Sequence, residues 1–185
     1  MATSILDVAA SYNNIGHVYN RQGKYEEALE YYQKFLDIKI RVFGSDHPDV
    51  ATSFINIGAV YEGKSDFENA LVQYQKGLEI KTCVFGSEHS DVAASFYNIG
   101  NVYLAKGDLE NALVQYQKAL EIRTRVFGSD HPDVATSYQN LAAVYQRQGN
   151  HVQTKEMVTK AYHIFLRMLG PDHPQTQGLK PFVDE

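Results

Sequence analysis

Four histidines, His47, His89, His131 and His173, recur 42 residues apart, and a regular ladder of imidazoles first suggests metal chemistry. One repeat along an array of helix pairs advances about 10 Å. Metal ligands must lie about 2 Å from a shared ion, so each histidine is expected to serve helix capping and linker packing instead. Cys83 is the single cysteine of the chain, which leaves no disulfide framework and no thiolate cluster for zinc. His17 has no serine, cysteine or carboxylate that can be assigned to it as a catalytic partner. The chain contains no nucleophile elbow, phosphate loop, zinc signature or paired acids. The expectation is therefore no enzyme, no metal site and no cofactor. The chemistry that remains is hydrogen bonding. Asn14, Asn56, Asn98 and Asn140 recur in every copy among apolar neighbours, and an amide both donates and accepts.

These residues are positioned by a repeat. Asp7, Asp49, Asp91 and Asp133 stand 42 residues apart, each followed by Val and Ala, and such a period is the mark of a solenoid. In the copy from Asp91 to Pro132, Val92, Phe96, Ile99, Gly100, Val102 and Tyr103 recur at spacings of three and four, which places them on one face of a helix, A. Lys106-Gly107-Asp108 interrupts it, with glycine closing one helix and Asp108 capping the next. Leu109, Ala112, Leu113, Tyr116, Ala119, Leu120 and Val126 carry the pattern through a longer helix, B. A connection this short makes A and B an antiparallel hairpin. The linker then ends B at Gly128 and offers Asp130 with Asp133 as a capping pair for the next A helix. At the start of the chain, Ser4 and Asp7 form the corresponding pair.

A single domain over residues 1–185 is expected, with repeats at about 7–48, 49–90, 91–132 and 133–174 and a tail or cap over 175–185. The fourth copy departs from its siblings, with Ala142 in place of Gly16, Gly58 and Gly100 and Thr154 in place of Ala28, Ala70 and Ala112. Gly178 and Pro181 limit the tail to a short helix at most. A start with Met-Ala directly before a repeat fits either a complete array or a piece of a longer protein.

With 44% hydrophobic and 21% charged residues, the composition is that of a folded chain. No apolar run reaches the roughly 18 residues that span a bilayer, and no secretory signal is visible, so no membrane role is expected and a cytoplasmic location is. A net charge of −5 without any Lys/Arg run speaks against nucleic acid, which needs a basic stripe to displace counterions.

Residues Ile15-Gly16, Tyr19 and Ala28, with Ile57-Gly58, Tyr61 and Ala70 and Ile99-Gly100, Tyr103 and Ala112, repeat one pattern. It resembles the tetratricopeptide repeat. Tyr12, Phe54, Phe96 and Tyr138 match that family's first aromatic position, and Tyr32, Tyr74 and Tyr116 its later one. The 42-residue unit with its GSDHPDVA linker is most similar to the repeats of kinesin light chains. The resemblance implies an all-α fold, a right-handed α-solenoid (superhelix) of four helix hairpins with a short C-terminal cap. It also implies a concave wall of A helices that holds an extended peptide or a partner helix.

Comparing the copies with each other leads to a similar surface. Four A-helix positions vary while the apolar ones repeat: Asn13/Ile55/Tyr97/Gln139, His17/Ala59/Asn101/Ala143, Asn20/Glu62/Leu104/Gln146 and Arg21/Gly63/Ala105/Arg147. They fall at i, i+4, i+7 and i+8, on one stripe. The stripe is either a solvated face without constraint or a contact surface, and Ile55, Tyr97 and Leu104 favour contact because apolar and aromatic side chains anchor interfaces. Arg21, Arg147, Lys64 and Lys106 favour a ligand with acidic residues, and Glu62 opposes it. The recurrent asparagines either bridge neighbouring repeats or bond a peptide backbone, as the equivalents in related repeats do, and one side chain can do both. The residues expected to bind peptide are thus Asn14, Asn56, Asn98 and Asn140 with Asn13, His17, Arg21, Ile55, Tyr97, Asn101, Leu104, Gln139 and Arg147. Ile55, Ala59 and Tyr97 stand where repeats that clamp the carboxylate tail of heat-shock chaperones carry basic or amide groups, which speaks against that ligand. The function expected is a non-enzymatic scaffold binding a protein or peptide with acidic and aromatic residues, possessed of a cargo-adaptor character, in a monomer or weakly self-associating chain. A self-assembling structural array and a regulatory domain of a larger enzyme are the alternatives.

Overall fold

The computed structural model describes residues 2–184, and all regular structure among them is helical. The helices are α1 (Ala2–Arg21), α2 (Tyr25–Phe43), α3 (Pro48–Gly63), α4 (Phe67–Phe85), α5 (Ser90–Lys106), α6 (Leu109–Phe127), α7 (Pro132–Arg147), α8 (His151–Leu169) and α9 (Pro174–Asp184). The chain divides into two compact units, with the boundary at Ser87/Glu88. In the first, α1 pairs with α2 and α3 with α4, and α2 packs on α3. In the second, α5 pairs with α6 and α7 with α8, while α6 packs on α7 and α9 on α8.

The turn inside each hairpin needs one residue in the left-handed region. Gly23, Gly107 and Gly149 supply it in three copies, at φ 72°, 84° and 72°, and Ser65 takes the same place in the other at φ 60°. A short polar side chain then receives the new helix. Asp66 accepts from the N–H of Asn69 at 3.3 Å, Asp108 from that of Asn111 at 3.1 Å and Asn150 from that of Gln153 at 3.2 Å. Because Asp108 also accepts from the Asn111 amide at 2.7 Å, its carboxyl is held below the usual range.

The A helices start on the linker histidines, in the capping role expected of them, and not on the Asp130–Asp133 pair. Their N-cap is histidine: Nδ1 of His47, His89 and His131 accepts from the N–H of Asp49, Asp91 and Asp133, each at 3.1 Å. Asp130 lies one residue too early to reach that N–H and instead accepts from Arg167 Nη1 at 2.7 Å. The histidine rings also stack on the phenylalanine that ends the preceding helix, with centroids 4.4 Å apart for Phe43–His47 and 4.5 Å for Phe127–His131. Capping and linker packing are therefore the roles of the histidine ladder. Ser4 lies inside α1, which already runs from Ala2, and so does not cap it.

Packing within a hairpin turns on a glycine of the A helix facing a tyrosine of the B helix. A Cβ placed on Gly16 or Gly58 would stand 2.9 Å from the ring of Tyr32 or Tyr74, and one on Gly100 2.7 Å from that of Tyr116. In the fourth hairpin both partners change. Ala142 replaces the glycine and Val158 the tyrosine, and both are buried in one cluster. Valines on the A helices, Val50, Val60, Val92, Val102, Val134 and Val144, are fully buried. Their counterparts on the outward face of α1 are not: Val18 is 52% exposed where Val60 is 0%.

The C-terminal segment forms a longer helix than Gly178 and Pro181 suggested. α9 runs for 11 residues with Pro181 inside it. Leu179 and Val183 pack against the core of the second unit, and this burial offsets the backbone bond that proline cannot make.

Candidate functional site

The A helices carry the expected site residues. In the first unit Asn14, His17 and Arg21 are exposed on α1, while Asn13, Ile55 and Asn56 are half-buried. Asn56 Nδ2 donates to Asn13 Oδ1 at 2.8 Å, joining α3 to α1 across 43 residues of sequence. Asn56 is thus a bridge between repeats, and its own carbonyl oxygen remains an acceptor. Ile55 leans on α4, where a Cβ at Gly77 would lie 3.0 Å from its Cγ1. On the same stripe Glu62 accepts from the hydroxyl of Tyr74 at 2.7 Å. Burial pushes that phenol well above its ordinary pKa, and the adjacent Glu62 carboxylate adds to the shift.

In the second unit Tyr97, Asn98, Asn101, Leu104, Gln139 and Asn140 are half-buried and Arg147 is exposed. Tyr97 and Leu104 pack against the hydrophobic core, so each shows only part of its apolar surface. Asn101 Oδ1 accepts from the Tyr116 hydroxyl at 2.6 Å. Arg147 Nη1 donates to the carbonyl of Leu104 near the end of α5, a favourable place for a cation because the last carbonyls of a helix carry negative partial charge.

The centre of this face is a residue the stripe did not contain. Arg123 reaches from α6, and its guanidinium lies 5.5 Å from the centroid of the Tyr97 ring. Its Nη1 donates to Ser137 Oγ at 2.9 Å and to the carbonyl of Asp133 at 3.3 Å on α7. Desolvation lowers its pKa, with the Asp133 carboxylate and Tyr97 opposing the shift. One helical turn beyond Ser137, Asn140 Nδ2 is buried and has no partner among the described residues. A half-buried cation held on Ser137 and an unsatisfied amide donor one helical turn further along α7 are each suited to a carboxylate or a peptide carbonyl.

Residues 7–82 and 91–167 match the model of the tetratricopeptide repeat. The chain belongs to the tetratricopeptide repeat family. Among solved structures it is similar to BtubC (BKLC) from P. vanneervenii, at 29% identity and TM-score 0.78, over 90% of this chain and 66% of that one. It is also similar to the kinesin light chain of Podosopora anserina with nearly identical TPR-like repeats, at 22% identity and TM-score 0.79, over 94% of this chain and 82% of that one. The second likeness is one of fold. No curated protein is similar to the chain.

As a tetratricopeptide repeat protein, the chain repeats one helix hairpin, and the expected site residues lie along its A helices. The expected site residues, stripe and asparagine ladder together, divide into two sets. Asn13, Asn56, Asn101 and Arg147 already hold protein partners, whereas Asn140 keeps an unsatisfied donor. Arg123 was legible only in a comparison of B helices, where Lys39, Lys81, Arg123 and Phe165 occupy one position. That basic position near the end of B also secures the first unit, through Lys39 Nζ and Asp49 Oδ2 at 2.7 Å. Among the described residues no helix is long and apolar enough to cross a membrane.

Proposed function

We propose that the chain is a non-enzymatic interaction module that holds an extended segment of a partner protein, rich in acidic and aromatic residues, against its A helices. Tetratricopeptide repeats generally mediate protein–protein interaction, and the reading extends that role to these residues. The observation that carries it is Arg123. A guanidinium partly withdrawn from water is costly unless it is paired; Asp133 acts on Arg123 without forming an ion pair among the described residues, and a ligand carboxylate would supply that pair. Tyr97 and Leu104 then offer apolar contact, and the asparagines Asn14, Asn56, Asn98 and Asn140 offer backbone hydrogen bonds. Gln139, Asn101, Asn13, Ile55, His17, Arg21 and Arg147 border the same faces. The reading includes a cargo-adaptor role in the cytoplasm without a cofactor, drawn from the resemblance of the 42-residue repeats to those of kinesin light chains.

The test is selection of peptides from a random library on the wild-type chain, followed by titration of the enriched peptides into Arg123→Met and Tyr97→Ala. Enrichment of acidic, aromatic peptides that bind Arg123→Met about tenfold or more weakly is expected, since a desolvated charged hydrogen bond contributes on the order of 1.5–3 kcal/mol. Enrichment without acidic character, or equal affinity for both variants, would overturn the reading.

A further inference from the structure

In the second unit the end of each B helix is tied back to the loop before its hairpin by an arginine. Arg125 on α6 pairs with Glu88 and, through Nη2, with Glu121 at 2.7 Å. Arg167 on α8 pairs with Asp130 at 2.7 Å. One repeat earlier, the position of Arg125 and Arg167 is filled by Cys83, while the two carboxylates remain: Asp46 stands for Glu88 and Glu79 for Glu121. The first unit thus keeps both acids of a guanidinium clasp without its guanidinium.

The space is open. A cleft of about 390 Å³ is lined by Ser45, Asp46, Phe54, Lys76, Glu79, Ile80 and Cys83. Lys76 does not fill the missing place, because its Nζ lies over the ring of Phe54 at 5.4 Å. Lys118 over Phe96 repeats that contact at 5.2 Å in the unit where Arg125 is present, so stacking lysine and clasped arginine coexist there. Among the described residues neither acid forms an ion pair, although Lys76 shares the cleft. Asp46 accepts from the Ser45 hydroxyl at 3.0 Å and Glu79 from the Gln75 amide at 3.2 Å. The C-terminus of α4 has no basic residue in its last turn, unlike α2, α6 and α8 with Arg41, Arg125 and Arg167. The negative end of a helix favours a cation nearby.

We propose that the cleft between Asp46 and Glu79 is a docking site for an arginine side chain of a partner protein, which takes the place that Arg125 takes from within the chain one repeat later. The arrangement of acids is the one that already holds a guanidinium in this molecule, and the planar fork of arginine fits two carboxylates better than an ammonium does. Phe54 and Ile80 provide apolar walls for the methylene stem. The small Cys83 side chain leaves the entrance clear. This contact is separate from the Arg123 face and does not depend on it.

The test uses the full chain, labelled with ¹⁵N, and two blocked tripeptides, acetyl-Ala-Arg-Ala-amide and its citrulline counterpart, which has the same shape without the charge. The arginine peptide is expected to shift the amide resonances of Asp46, Glu79 and Cys83, and the citrulline peptide to bind about three- to tenfold more weakly, as two exposed ion pairs allow. Cys83→Arg supplies the missing side chain from within and is expected to abolish these shifts, and Asp46→Asn with Glu79→Gln to do the same. The arginine found at this position in three other helices shows that Cys83→Arg suits the fold, and its melting temperature checks that directly. Equal binding of the two peptides, or undiminished shifts in a folded Cys83→Arg variant, overturns the proposal.

Discussion

Gly100 lies directly beneath the ring of Tyr116, so close that a Cβ on it would stand 2.7 Å from Cε1. The fourth hairpin solves the same contact with Ala142 and Val158, which makes the two positions a coupled pair. Gly100→Ala is expected to destabilise the chain by about 1–3 kcal/mol, the range for overpacking a filled core. In a Tyr116→Val background the same change should cost little. Urea unfolding of the two single variants and the double variant measures the coupling, and additive losses would disprove it.

The amide bridge between Asn56 and Asn13 makes the asparagine ladder partly structural. Asn56→Ala is expected to lower stability by about 0.5–1.5 kcal/mol, the usual net value of a hydrogen bond. Asn13→Ala should add nothing further once Asn56 is gone. Thermal melts of the double-mutant cycle decide this, and two independent losses would show that each side chain has another partner.

Ser65 holds a φ of 60° where three sibling turns have glycine. An L-residue in that region costs roughly 1–2 kcal/mol, so Ser65→Gly should raise stability by up to about 1 kcal/mol after the greater freedom of the unfolded glycine is subtracted. A higher urea midpoint with an unchanged slope is the expected result.

Tyr74 links stability to alkaline pH. Its folded pKa is raised by burial and by Glu62, so its contribution is fully present below the ordinary tyrosine value of about 10. It is lost as pH rises from there toward the folded value, because the unfolded chain ionises first. Tyr74→Phe should be less stable at neutral pH, where the bond to Glu62 is missing, and the gap to wild type should narrow above pH about 10. Unfolding followed at several alkaline pH values tests the sign.

Most of the fold was legible in the residues. The period of 42, the glycine turns and the three-four apolar spacing led to hairpins of the right register, because backbone conformation at a turn and the face of a helix are local properties. The tail was less legible. Pro181 is tolerated in α9 because Leu179 and Val183 find the core, and no local rule announces such a contact. The residues offered two caps for α7, Asp130 and His131, and the choice between them depends on which side chain can stack on Phe127 while accepting from Asp133.

The sequence by itself determined that the chain repeats one helix hairpin, which face of each A helix is held by packing and which is left to vary. Only the tertiary structure decided which of those variable residues are already spent on internal bonds, as Asn13, Asn101 and Arg147 are. It also brought Arg123 to Tyr97 and Ser137, and left Asp46 and Glu79 around the place where Cys83 stands for arginine. The reason is physical. Helical periodicity is set by neighbours three and four residues away, whereas the partner of a long polar side chain is set by what lies across a helix interface, tens of residues distant in the chain.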